Sequence, residues 1–186
     1  MKNFIQNRWV WLAARLLLGG LFMLTSIAKM SDIPYFIDEV IGYGLLPIGL
    51  ARLLGSVLPW VELFIGCALI LGVFVRLMSV AILPLSVVFG IAGIYAIVYD
   101  SGIRCGCFGS LIPLTHQQSL AIDCAMLVLS LVLVTQKGKD FLILEGWFDR
   151  IKPDLRARGK LWFNVSLVAI VVLLMAVVTA IIFGLK

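Results

Sequence analysis

Five long apolar runs set the limits on what this chain can fold into. They lie near residues 9–30, 50–74, 77–99, 118–136 and 162–185, and each is long enough for the roughly 20 helical residues that cross a bilayer. In lipid every backbone amide and carbonyl must find its partner within the protein, which leaves closed barrels and helices. Runs of this length without strand alternation are helices, so the expected class is all-α: a polytopic membrane protein. Composition agrees, since 62% of the 186 residues are hydrophobic and only 13% charged, against about 25% charged in an ordinary soluble domain. The first run carries a small-residue stretch, Ser26-Ile27-Ala28, that resembles a signal-peptide cleavage site. Its length and the interrupting Arg15 favour a retained helix.

Orientation follows from the placement of Lys and Arg, which are enriched on the cytoplasmic side. With the N-terminus inside, the inner segments hold Lys2, Arg8, Arg76, Lys137, Lys139, Arg150, Lys152, Arg156, Arg158 and Lys160. The outer segments keep only Lys29, Arg104 and Lys186, and the outer loop 31–49 is acidic through Asp32, Asp38 and Glu39. The net charge of +5 is thus a topology signal and gives no argument for nucleic acid. This orientation puts the 100–115 loop on the outer face, where disulfides persist.

That loop contains Arg104-Cys105-Gly106-Cys107-Phe108-Gly109. Two thiols at C-x-C spacing can close a small ring, with Gly106 allowing the bend. A ring so tight departs from relaxed disulfide geometry and is more easily reduced than a structural bridge. Redox exchange through Cys105 and Cys107 is the leading reading, with Arg104 as a stabiliser of thiolate. A structural disulfide, idle thiols and metal binding are the alternatives. Cys67, in the inner part of the second span, reads as a small core residue. Cys124, nearer the outer end, is a further thiol within possible reach of exchange.

Several spans carry polar stripes. Arg15, Gly19, Phe22, Ser26 and Lys29 fall within about 80° of arc on the first helix, and Arg52, Gly55, Pro59, Glu62 and Gly66 do the same on the second. A charge as deep as Arg15 is costly in lipid and usually faces the bundle interior; the alternative is snorkelling to the inner surface. Setting Lys29 and Arg52 at one depth places Arg15 about 21 Å and Glu62 about 15 Å below it, which predicts an Arg15–Glu62 pair. The apolar face around Arg15 and Glu62 is then a candidate quinone or polar pocket. Pro59 withdraws an amide from its helix. The third span aligns Ser86, Gly90, Gly93, Ile97 and Asp100, and the fourth brings His116 and Gln118 to its outer end, with Asp123 further in as a possible counter-charge for Arg52 or Lys29. The 31–49 segment, with Pro34 and Pro47, suits either a short helix on the outer end of the bundle or an ordinary packed loop. Residues 137–160 alternate basic groups with Phe141, Leu142, Leu144, Trp147, Phe148 and Ile151, the pattern of an amphipathic helix on the inner surface. No internal repeat, nucleotide loop, HExxH or catalytic triad is present.

Taken in order, Arg15-Leu16-Leu17-Leu18-Gly19-Gly20-Leu21-Phe22, Ala28-Lys29-Met30, Tyr43-Gly44-Leu45-Leu46-Pro47, Leu58-Pro59-Trp60-Val61-Glu62-Leu63 with Gly66, and Cys105-Gly106-Cys107-Phe108-Gly109 resemble the MauE branch of the DoxX-like membrane proteins. The resemblance covers roughly residues 10–136 and implies a four-helix membrane core, taken as residues 1–136; the basic amphipathic cytoplasmic linker at 137–161 and the fifth C-terminal transmembrane helix at 162–186, read from the residue pattern, lie outside the matching part. It also implies a role in maturing methylamine dehydrogenase, whose small subunit is rich in disulfides, beside a thioredoxin-like extracytoplasmic partner. The expected function is therefore a thiol–disulfide redox protein of the bacterial inner membrane that serves a secreted disulfide-containing substrate. A lone C-x-C cannot dispose of electrons, so a quinone or a second protein must accept them. A non-catalytic assembly factor is the second reading. A copper or small-solute carrier is the third; C-x-C suits Cu(I), but a single His and no Met-rich loop argue against it.

Overall fold

The computed structural model describes residues 8–98, 115–135, 168–173 and 175. The described residues form helices and short turns, with no strand among them. Five helices are bounded: α1 Arg8–Ser31, α2 Ile33–Gly42, α3 Ile48–Leu71, α4 Val75–Val98 and α5 His116–Thr135. All but α2 are long and apolar enough to cross a bilayer, and their bounds agree with the first four apolar runs to within a few residues. Residues 168–173 are also helical, and Val171 is buried in the core. The rest of the expected fifth span, the 137–161 linker and the Cys105–Cys107 loop with Arg104 lie outside the described residues.

The four spans run up and down. α1 packs mainly on α3, and α4 mainly on α5; contacts between these two pairs are fewer. α2 lies along α3, so the 31–49 segment is the short helix rather than an irregular loop. Its start is set locally: the Asp32 carboxylate accepts a hydrogen bond from the Tyr35 amide at 3.1 Å, and Pro34 occupies the first turn, where a missing amide costs nothing. Ile37 of α2 fills the space a side chain at position 55 would need; a Cβ there would lie 2.7 Å from Ile37 Cγ1.

α1 and α3 cross where Gly19 meets Gly66. A Cβ on Gly66 would lie 2.9 Å from the Met23 amide nitrogen and 3.0 Å from the Gly19 carbonyl. Without lipid-driven burial to hold helices together, such backbone contact supplies the packing. Higher in the same seam, the Ser26 hydroxyl donates to the Pro59 carbonyl at 2.6 Å. Both contacts fix one antiparallel register, in which residue numbers on α1 and α3 at one level sum to the same value. On the other pair, Ser130 donates to the Ser79 carbonyl at 2.6 Å and sets the register of α5 on α4.

Burial is inverted relative to a soluble bundle. Leu17, Leu53, Leu77, Val88 and Leu173 face outward, as lipid requires, whereas Arg15, Lys29, Glu62, Ser86, Ser119, Asp123 and Ser130 are buried. Arg15, Gly19, Phe22, Ser26 and Lys29 are all inside, so the expected stripe on α1 is one buried face. The α3 stripe departs at one end, since Arg52 is exposed while Gly55, Pro59, Glu62 and Gly66 are buried. On α4, Ile97 is exposed and Ala96 takes its place inside.

Candidate functional site

The best-defined polar site among the described residues is an ion pair inside the bundle. Lys29 Nζ lies 2.6 Å from Glu62 Oε1 and 2.8 Å from Oε2, with side-chain exposures of 2% and 1%. Thr25, one turn before Lys29, bonds weakly to Oε2 at 3.5 Å and donates to the Phe22 carbonyl at 3.1 Å. Two rings complete the enclosure: Lys29 Nζ stands 5.2 Å from the centroid of Phe36 on α2 and 4.8 Å from that of Phe89 on α4. The quadrupoles of those rings attract a cation that has left water. One ammonium thus gathers four helices.

This arrangement corrects the expected Arg15–Glu62 pair. The α1–α3 register puts Arg15 level with Ile70, about 12 Å from Glu62 toward the Arg8 end of α1, and Lys29 level with Ser56, about 9 Å from Glu62 in the other direction. Side chains on a helix lean toward its N-terminus. Because the helices are antiparallel, Lys29 and Glu62 lean toward each other and converge. Arg15 leans toward the N-terminus of α1, away from Glu62. The depth assumption that favoured Arg15 was wrong because Lys29 and Arg52 are not level; Arg52 lies about 6 Å further toward the N-terminus of α3. Arg15 itself is buried, 4% exposed, which excludes the snorkelling alternative. Lys29 was visible on the stripe, but side-chain lean selects it only once the register of α1 on α3 is known. Phe36 and Phe89 gave no signal, because nothing in either local sequence distinguishes them from other apolar residues.

The counter-charge seen at Lys29 is Glu62, and Asp123 is buried as well. It lies on the buried face of α5 with Ser119, Met126, Ser130 and Leu133. Cys124, about 100° around the helix from it, is exposed, and Cys67 is fully buried, as expected of a small core residue. Among the described residues no group of three or more His, Cys, Asp or Glu side chains is placed to hold a metal ion. The redox candidates Cys105 and Cys107, with Arg104, lie outside the described residues, in the segment joining α4 to α5.

Comparison with known proteins bears on this architecture. The chain is 28% identical over 127 residues to Protein TlpB of Flavobacterium psychrophilum, a match covering 62% of the chain and 34% of that relative, so it spans about a third of the relative's length. No solved structure matches. The family model of the methylamine utilisation protein MauE matches residues 7–136, the stretch that holds all four bounded spans and the C-x-C segment. With well over half its length matched, the chain belongs to the MauE family of membrane proteins.

Proposed function

We propose that this protein is a membrane thiol–disulfide redox protein that supports disulfide formation or maturation of an extracytoplasmic partner. The observation that carries the reading is the Cys105-Gly106-Cys107 sequence between two spans of a MauE-family chain. Methylamine utilisation in the family's name directs the reading toward maturation of a disulfide-rich dehydrogenase subunit, with a thioredoxin-like protein as intermediary. Cys105 and Cys107 form the exchanging pair, and the Arg104 guanidinium favours the attacking thiolate. Exchange runs through a mixed disulfide: thiolate attack forms one S–S bond as another breaks, and the second cysteine then resolves it. The Lys/Arg distribution supports an inner-membrane protein with its N-terminus inside and this loop on the outer face. Electrons leaving the pair pass to a two-electron acceptor dissolved in the bilayer, of the quinone class, or to a second protein.

The test is a non-reducing gel of Cys105→Ser and Cys107→Ser proteins expressed with a thioredoxin-like partner. One single variant should accumulate a mixed disulfide, and the double variant none. Absence of any adduct, with normal maturation of the secreted target, would replace the redox reading with that of a non-catalytic assembly factor.

A further inference from the structure

Three of the five residues on the buried face of α5 are polar: Ser119, Asp123 and Ser130. Its outward positions include Ala121, Val128, Leu131 and Val132. Packing alone does not call for this, since a face buried against α4 would be filled as well by Ala or Leu. Ser130 is explained by its bond to the Ser79 carbonyl. Moving seven residues along each antiparallel helix from that contact reaches Ser86 on α4 and Asp123 on α5. These therefore share one level, about 10 Å nearer the outer end. Both are 3% exposed. Among the described residues the Ser86 hydroxyl has no hydrogen-bond partner, and a buried orphan hydroxyl marks a place for water or another small polar species. Outward along the same face come Ser119 and then the half-buried His116, the second residue after the 99–114 segment that holds Cys105 and Cys107. Inward of that segment, Phe89, one turn beyond Ser86, stands against Lys29. The Ser86–Asp123 level thus lies in the same layer of the bundle as the Lys29–Glu62 pair.

We propose that His116, Ser119, Asp123 and Ser86 form a hydrated proton path from the outer-end loop into the bundle. The inference rests on the redox reading and adds what that reading lacks, a route for hydrogens. When the loop dithiol is oxidised by a quinone-class acceptor A, Cys105–SH + Cys107–SH + A gives the Cys105–Cys107 disulfide and AH2. Two S–H bonds break and one S–S bond forms; two electrons and two protons move to the acceptor. Asp123 carries the proton at mid-path as carboxylate or carboxylic acid, and the two serine hydroxyls orient the intervening water. Exchange with a disulfide needs no such path, because the protons stay on sulfur at the loop.

The experiment uses the full chain in lipid nanodiscs, with the loop thiols reduced. Decylubiquinone and 2-hydroxyethyl disulfide serve as separate oxidants, and alkylation reads the oxidation of Cys105 and Cys107. Asp123→Asn should slow oxidation by decylubiquinone about 10-fold or more, with Asp123→Glu restoring it, while oxidation by the disulfide is unchanged. Ser86→Ala removes an unsatisfied hydroxyl and should leave thermal stability equal or higher, yet slow the quinone reaction and alter its solvent deuterium isotope effect. That pair of results separates a path from a packing role, and it decides the matter if Asp123→Asn fails to fold. Unchanged quinone rates in a folded Asp123→Asn or in Ser86→Ala overturn the path. Wild-type protein that exchanges with the disulfide but not with decylubiquinone overturns the path and leaves the redox reading intact. Wild-type protein that reacts with neither overturns both.

Discussion

Lys29 and Glu62 form a bidentate ion pair at 2.6 and 2.8 Å, 33 residues apart in sequence and almost wholly enclosed by protein. Neither charge has water to return to if the other is lost. Removing one partner of a buried pair typically costs about 3–5 kcal/mol in soluble proteins, whereas exchanging both for apolar groups can be nearly neutral. Glu62→Ala and Lys29→Met should each lower stability strongly in reversible unfolding from mixed micelles. The Lys29→Met/Glu62→Met double variant should be more stable than either single variant would suggest. Arg15→Met combined with Glu62→Ala should be additive to within about 0.5 kcal/mol, as expected for separated sites. Strong coupling of Arg15 to Glu62 would contradict the register described above.

The Gly19–Gly66 crossing makes a second, geometrically separate prediction. A methyl at position 66 would press on the Met23 amide and the Gly19 carbonyl, which are backbone and cannot rotate away. Gly66→Ala should therefore destabilise by about 1–3 kcal/mol, the usual cost of overpacking. Gly20→Ala meets nothing within 4 Å and should be neutral or slightly stabilising through helix propensity. Equal effects at the two positions would show that the helices do not cross here.

α2 is held partly by Ile37 against Gly55 and partly by the Phe36 ring against Lys29. Gly55→Ala should shift α2 while leaving the spans in place. Amide hydrogen exchange should rise in residues 33–42 and stay unchanged in α4 and α5. Phe36→Leu removes the ring but keeps an apolar contact, and should cost about 0.5–2 kcal/mol, the range for a desolvated cation–π contact. A rise in exchange spread evenly over the chain would mean that α2 does not respond separately.

Topology can be tested on intact cells. A membrane-impermeant thiol reagent added after reduction should label Cys105 and Cys107 from outside. Labelling confined to permeabilised cells would reverse the orientation inferred from the Lys/Arg asymmetry and move the exchange site to the cytoplasm.

The four described spans, their bounds and the buried stripe on α1 were legible in the sequence, for a physical reason. In lipid a backbone must satisfy itself locally, so long apolar runs become helices whatever they pack on. Polar side chains that would be costly in hydrocarbon also mark which face turns inward. The same logic showed that Glu62 needs a buried cation. Which cation was decided only by tertiary structure. Lys29 and Arg15 share a stripe, and the choice between them depends on how far α1 slides along α3. The backbone contact of Gly19 with Gly66 and the Ser26–Pro59 hydrogen bond fix that slide, and neither partner can be read from its own helix. Phe36 and Phe89 became part of the ion-pair enclosure in the same way. Sequence periodicity gives each helix its inward face; only the interlocking of two helices gives their relative depth.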